Sequence, residues 1–318
     1  MFSGTIGVLR GGPGAHYDTS LSSGTAVSKA LRDKYPTRDI YIDKEGTWHF
    51  EGMPAQPSRL VSHIDLFWNA LHGEYGEDGS LQRDLDNLGA KYTGPGATQA
   101  RFAWRKDLAK RYLKEAELLV PEAFSVRLGD DVEEAAREAF TKIGGQYIVK
   151  PVAEANSRGV FFVPSFPELA QVLGVALEHF DHVLIEEAIH GREIKCLVAR
   201  DFRGEDYYSF LPVEIHKGVS VGVYKTEGND SAQVFVPARI SNDEKVLIMD
   251  TARRAHKALD LGEYSLVDMI LAKRGVVVLE LDALPDLSED SIVSRSLAAV
   301  GATPSEFFRH VALRAHAG

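Results

Sequence analysis

Apolar and polar positions alternate in short blocks along the first part of this 318-residue chain. Residues 5–9 form a brief apolar run, and Gly11-Gly12-Pro13-Gly14 then supplies a turn that small residues permit. Residues 20–31 read as a helix with Ser20 or Ser22 as its N-cap, and residues 39–43 and 64–70 read as further strands. Strand, turn and helix alternating in this way predict a doubly wound parallel sheet.

Thr93-Gly94-Pro95-Gly96 breaks the pattern and marks a boundary. Beyond it, residues 98–116 are rich in Ala, Arg, Lys and Leu and predict one helix. Strands follow at 123–127 and 147–151, then a Gly/Ser-containing turn at 155–159, a strand at 160–164, a helix at 166–178 and a strand at 183–187. Residues 192–215 have the rhythm of a β-meander. Residues 217–236 hold Gly218, Gly222 and Gly228 among mixed polarity and read as a long mobile loop. A helix at 245–259 and antiparallel strands at 265–271 and 275–281 complete an α/β chain. The predicted units are 1–96, 97–190 and 191–318, with no internal repeat.

Composition narrows the function classes. The chain is 44% hydrophobic and 26% charged, an ordinary globular balance. A net charge of -10, with no dense Lys/Arg run, disfavours nucleic acid and anionic membranes as partners. The single cysteine, Cys196, excludes an internal disulfide and reads as a small buried hydrophobe in an alternating run. No signal peptide is expected, and the apolar runs are too short to span a bilayer, so a cytoplasmic protein is expected.

Charged residues then suggest chemistry. Glu280 and Asp282 lie two apart on one predicted strand, so both leave the same face, and Asp268 sits on the preceding strand. Such carboxylates repel one another unless cations lie between them, and hard oxygen ligands suit magnesium. A solvated acidic sheet face has the same pattern, and the apolar Val277, Leu279 and Leu281 behind it fit either reading. Lys150 ends a strand beside the turn 155–159, where backbone N–H groups and the Ser157 hydroxyl suit a phosphate cradle. The spacing is not that of a P-loop. A carboxylate at the hinge formed by Glu186-Glu187 and Gly191-Arg192-Glu193 suits two ribose hydroxyls, or simply caps the next element.

The order of these motifs resembles the D-alanine:D-alanine ligase family of the ATP-grasp superfamily. The likeness runs from Gly11 to about Phe308. It rests on Gly11-Gly12 with Ser20-Leu21-x-Ser23-Gly24, and on His72-Gly73-x-x-Gly76-Glu77-Asp78-Gly79-x-Leu81-Gln82, close to the family signature HGxxGEDGxxQ. Tyr92-Thr93-Gly94-x-Gly96, Lys106-x-x-x-Lys110, Ile148-Val149-Lys150-Pro151, Leu184-Ile185-Glu186-Glu187 and Gly191-Arg192-Glu193 follow in the family's order. The resemblance implies an N-terminal Rossmann-like domain and a two-subdomain ATP-grasp module whose closing loop is 217–236. It implies ATP and two magnesium ions, with manganese as a substitute, small amino-acid substrates and a homodimer. By position, Lys106 and Lys150 match the lysines on the triphosphate, Glu186, Glu187 and Ile189 the adenine hinge, and Glu193 the ribose carboxylate. Ser157 matches the serine of the phosphate-covering loop, Lys225 the lysine of the closing loop, and Asp268, Glu280 and Asp282 the metal ligands. His72 matches the histidine near the first substrate, and Ser291 the serine at the second substrate's carboxylate. The implied reaction makes an acyl phosphate and then a dipeptide bond, as in peptidoglycan precursor synthesis.

Departures from the family gather on the amino-acid side. His16 stands where the family has the glutamate that binds an ammonium, Thr226 where it has a tyrosine, and Leu266 where it has an arginine. Asp286 replaces a glycine at the oxyanion site, Ala283 a threonine, and Asp282 the usual asparagine. Losing one preorganised oxyanion donor typically costs about 3 kcal/mol. Arg158, Lys217 and Arg239 are the cations expected to take over, and Asp286 the group expected to meet a different second substrate. Three readings follow: a D-alanine:D-alanine ligase with a rearranged site, a ligase for another amino-acid or small-acid pair, and a nucleotide-binding homologue without turnover.

Overall fold

The computed structural model describes residues 2–154, 158–216 and 233–318. Its strands form three sheets. The first contains β1 (Ile6–Gly11), β2 (Thr37–Ile42), β3 (Trp48–Phe50), β4 (Met53–Pro54) and β5 (Leu66–Asn69), in the order β4-β3-β2-β1-β5. β1 is parallel to both neighbours, as the alternation predicts, and its Ile6, Val8 and Leu9 are fully buried. The β2–β3–β4 edge is antiparallel instead, because the chain reverses at Asp43, whose carboxylate takes the Glu45 and Thr47 N–H groups.

Helix α1 (Tyr17–Leu31) begins earlier than expected, with His16 rather than a serine at its N-cap. Ser20 lies inside it and ties the helix to the sheet: its Oγ accepts from the Gly11 N–H at 2.9 Å and donates to the Ala70 carbonyl at 2.8 Å. Ser22 donates back to the Asp18 carbonyl. The short helices α2 (Pro57–Leu60) and α3 (Glu74–Glu77) precede α4 (Ser80–Asn87). Gly79 caps α4 at φ +90°, and a Cβ there would fall 2.3 Å from the Ala97 carbonyl, so the last glycine of the HGxxGEDG block is sterically required.

The helix predicted over 98–116 is two helices, α5 (Ala97–Trp104) and α6 (Lys106–Glu115). Arg105 between them is extended, at φ -86° and ψ 99°, and the Lys106 N–H bonds to the Val152 carbonyl. Helix propensity is thus overridden by a tertiary hydrogen bond that places Lys106. The second sheet, β6 (Ala123–Arg127), β7 (Tyr147–Pro151), β8 (Phe161–Val163) and β9 (His182–Glu187), is antiparallel in the order β6-β9-β7-β8. Its apolar face packs on α7 (Val132–Lys142) and α8 (Phe166–His179). The sequence reading omits α7, although Asp131 caps it by accepting from the Glu133 and Glu134 N–H groups.

The third sheet holds β10 (Gly191–Arg200), β11 (Tyr207–Ser209), β12 (Val213–His216), β13 (Gln233–Phe235), β14 (Tyr264–Ala272) and β15 (Gly275–Asp282). The order is β13-β12-β10-β14-β15, with β11 also on β10. Residues 233–235, expected in the loop, are strand β13 paired with β12; 217–232 lie outside the described residues. One face of this sheet packs on α9 (Asn242–Leu259) around Ile194, Cys196 and Met269. Cys196 is fully buried, as expected, and burial pushes its thiol up to about 12.

Helices α10 (Ile292–Ala299) and α11 (Pro304–Ala317) have no counterpart in the sequence reading. They return to the first sheet, where Phe308 meets Trp68 edge-on at 5.4 Å and one core joins Ile6 and Leu31 to Leu197 and Val311. No helix among the described residues is long and apolar enough to cross a membrane.

The junction at Thr93-Gly94 makes a prediction. Glu263 is 8% exposed, accepts the Gly94 N–H at 2.7 Å, and is pushed up to about 7 by burial. The folded chain therefore holds a proton that the unfolded chain, titrating near 4.5, has released. Stability should fall as pH rises from about 4.5 to about 7 and then level off. Glu263→Gln keeps the acceptor without the charge, and is expected to stabilise by at most about 3 kcal/mol at alkaline pH and not at all below about pH 4. Melting curves across that range check it; a gain independent of pH would contradict it.

Candidate active site

Helix α6 carries Lys106 and Lys110 one turn apart toward the second sheet. Glu186, 1% exposed on β9, takes the Lys110 ammonium at 3.1 Å and the Lys150 ammonium at 3.0 Å. Lys150 lies diagonally across on β7, where Ile148 is opposite Glu186. One carboxylate thus serves two buried ammoniums. Burial and the neighbouring Lys150 bring Lys110 down to about 8, against the pull of Glu186. Lys150 is held up instead, because Glu186, Glu280 and Asp268 together outweigh its burial. Lys106 donates to the Glu154 carbonyl and stands 3.5 Å from Glu280 Oε2. Glu187 points elsewhere, in a two-pronged pair with Arg274 at 2.6 and 2.8 Å, while Ile189 joins Ile270, Val277 and Leu279 in an apolar patch.

The third sheet supplies the acidic residues. Lys195 on β10, Asp268 on β14 and Glu280 on β15 are direct register partners in one row. Past Asp268 the register slips, so Met269 faces Val278 and Leu279 is an extra residue. The bulge divides the apolar face expected for this strand: Val277 and Leu279 join the Ile189 patch, whereas Leu281 packs with Val276 and Val278 against α9. Burial works against ionising Glu280, but Lys106, Lys150, Lys195 and Lys110 outweigh it and hold its carboxyl low. Burial and then Asp268 push Asp282 up to about 7, and burial and then Asp282 hold Glu77 well above the carboxylate range.

The other end of the site is a hydrogen-bonded cluster. The Ser23 hydroxyl lies 2.9 Å from His72 Nε2 and 3.0 Å from Asp286 Oδ1, so it has one proton for two partners. Burial brings His72 down to about 4, which leaves it neutral. Asp286 also accepts from the Ser288 N–H and hydroxyl, both at 2.9 Å. Its charge is therefore met by local donors. Ser291 is the N-cap of α10, accepting from the Ser294 N–H at 3.2 Å. His16 Nε2 lies 3.8 Å from Glu154 Oε1, so a carboxylate from elsewhere in the chain stands near position 16.

These groups line two neighbouring cavities that share part of their walls. The smaller is bounded by Lys106, Lys150, Arg158, Glu193, Asp268 and Glu280. The larger, about 470 Å³, shares Lys106, Glu193, Asp268 and Glu280 with it and extends to His72, Leu266, Asp282, Asp286 and Ser291. Glu186, Glu187, Ile189 and His16 stand behind the walls of both. Ser157, Lys225, Lys217 and Thr226 lie outside the described residues. Arg239, a candidate replacement cation, is held by Glu214 and lies over the Phe235 ring at 3.5 Å. Arg158 reaches Glu154 at 3.2 Å from the cavity rim.

Among the described residues no three His, Cys, Asp or Glu side chains stand close enough to hold one metal ion. Asp268 is held by Lys195 at 2.5 Å. Glu280 and Asp282, two apart on the cavity side of β15, retain the hard-oxygen chemistry a divalent cation needs, and the crowding that raises Asp282 is what a cation would relieve.

Lys195, Lys110, Glu154 and Ser23 were missed as site residues. Strand alternation from Glu193 would have found Lys195, and helical spacing from Lys106 would have found Lys110. Ser23 stands in the Ser20-Leu21-x-Ser23-Gly24 motif, and nothing local signals Glu154.

The family described as "D-ala D-ala ligase C-terminus" matches residues 110–311. A D-alanine--D-alanine ligase of Halalkalibacterium halodurans is 33% identical, with 96% of each chain covered. D-alanine--D-alanine ligase A of Mesorhizobium japonicum is 30% identical, over 93% of this chain and 92% of that one. The solved VanG D-Ala:D-Ser ligase from Enterococcus faecalis superposes with a TM-score of 0.87 at 24% identity, 98% of both chains being covered, which shows a shared fold. Matched over most of its length by the family's own pattern and by relatives that span it almost end to end, the chain belongs to the D-alanine–D-alanine ligase family.

Proposed function

We propose that this chain is an ATP-dependent carboxylate–amine ligase of the D-alanine:D-alanine ligase type, working in the cytoplasm on small amino-acid substrates. The observation that carries this reading is the pair of neighbouring cavities that share Lys106, Glu193, Asp268 and Glu280, with Lys150 on the smaller and Asp282 on the larger. The lysines suit a triphosphate, Glu193 a ribose, and the apolar Val160 and Leu279 of the smaller cavity an adenine ring. Magnesium, held by Glu280 and Asp282, would offset phosphate charge.

The reaction then runs in two steps. A carboxylate oxygen of the first substrate attacks the γ-phosphorus, the bond to the β-phosphate oxygen breaks, and ADP leaves. The second substrate's amine attacks the acyl-phosphate carbonyl carbon, a C–N bond forms, phosphate leaves with the C–O electron pair, and the proton lost by the nitrogen passes to the released phosphate. Lys106 and Lys150 hold the phosphates through transfer, and the buried walls keep water from the acyl phosphate. The three units 1–96, 97–190 and 191–318 and a homodimer complete the proposal.

A ligase for a different pair is the second reading. Leu266, 5% exposed, and Asp286 both line the cavity, so its far end is apolar and acidic. A phosphate-release screen over D- and L-amino acids with ATP and magnesium tests both readings. Release that depends on added amino acid is expected, with D-alanine alone a weak substrate at that altered end. Rapid release with D-alanine alone would remove the second reading, and no release with any amino acid would remove both.

A further inference from the structure

The sequence resemblance implies two divalent ions held by Asp268, Glu280 and Asp282, yet a lysine already pairs with Asp268. Lys195 and Asp268 are register partners on adjacent strands, with the ammonium 2.5 Å from Asp268 Oδ2 and the side chains 23% and 13% exposed. Asp268 is in turn the register partner of Glu280, which Lys106 approaches from α6 at 3.5 Å. The row across the sheet thus reads plus, minus, minus, plus. Two facing carboxylates are tolerable because a lysine flanks each side.

We infer that Lys195 is a built-in cation of this site: it holds Asp268 in the working enzyme, and the nucleotide-bound chain takes one divalent ion, at Glu280 and Asp282, instead of two. This rests on the ligase reading above. The ammonium borders the larger cavity, and its ion pair there is with Asp268. β10 is bonded to β12 and β14 on its two sides, so the Lys195 backbone is fixed. Beyond it on the same face the row is Leu197 and Leu266, both buried and apolar. In the other direction stands Glu193, whose carboxylate the ribose needs. An ion bound at Asp268 would have to displace the ammonium from the carboxylate it pairs with, a costly step for a mostly buried charge.

Lys195 is a positioning residue here, acting through Asp268. The test counts ions. Purified full-length chain is mixed with one equivalent of a non-hydrolysable ATP analogue, and Mn2+ is titrated in while free Mn2+ is followed by electron paramagnetic resonance. Nucleotide binding is measured in the same samples by calorimetry. Wild type is expected to take up one Mn2+ per chain, Lys195→Arg one, and Lys195→Thr and Lys195→Met two. Two ions in wild type, or one in both neutral variants, would overturn the inference while leaving the ligase reading in place. No nucleotide binding by wild type would overturn that reading and the inference with it.

Discussion

Glu186→Ala should destabilise the chain by about 3–5 kcal/mol and abolish tight ATP binding. Glu186 is buried and answers two ammoniums, with Lys110 at 3.1 Å and Lys150 at 3.0 Å. Its removal leaves two positive charges facing each other away from water. Lys110, already down to about 8, is the one expected to lose its proton. Lys150 would remain charged but unanchored, which is why affinity for the triphosphate should fall along with stability. The chemistry of the loss can be separated from its geometry. Glu186→Gln keeps the shape and one acceptor without the charge, and Lys110→Met removes the surplus cation. Urea unfolding should show Glu186→Gln clearly destabilised and the Glu186→Gln, Lys110→Met double variant closer to wild type. Full additivity of the two changes would mean that the pair does not act as a unit.

Glu280→Gln should lower amino-acid-dependent ADP formation at least a hundredfold, equivalent to about 3 kcal/mol of lost charge stabilisation. Glu280 lines both cavities and is the carboxylate on which Lys106, Lys150, Lys195 and Lys110 converge. Its ionised form is what these lysines select. Glutamine keeps an oxygen for a weak contact but withdraws the charge that a divalent cation needs. Asp282→Asn should be milder, because it leaves in place Glu280, the carboxylate on which the four lysines converge. Steady-state rates over a magnesium series make the comparison. Rates for Glu280→Gln within a few-fold of wild type would mean that the acidic strand face is only a solvated edge.

Much of the nucleotide side was readable from local sequence, because its signals are short-range. Alternation on a strand puts Glu280 and Asp282 on one face whatever the chain does elsewhere. The HGxxGEDG block is demanded by backbone geometry, since a Cβ at Gly79 would collide with the Ala97 carbonyl. Ordered motifs from Lys106 to Glu193 therefore led to a cavity that the fold assembles, and the buried reading of Cys196 followed from the same alternation.

Tertiary structure decided what depends on partners far along the chain. Asp286 read as an uncompensated anion, yet the Ser23 hydroxyl, 263 residues away, donates to it. His16 read as a lost carboxylate, yet Glu154 arrives within 3.8 Å of it. Arg105 breaks a sequence of strong helix formers because Lys106 bonds to Val152, and Leu281 parts from Val277 and Leu279 because the β14–β15 register slips at Asp268. Lys195 shows both sides of the division. Alternation alone places it on the same face as Glu193, but only the pairing of β10 with β14 sets its ammonium against Asp268. The physical reason is common to all of these: a charge or a backbone group is paired by whatever packing brings near, and that choice is made by the folded core rather than by neighbours in sequence.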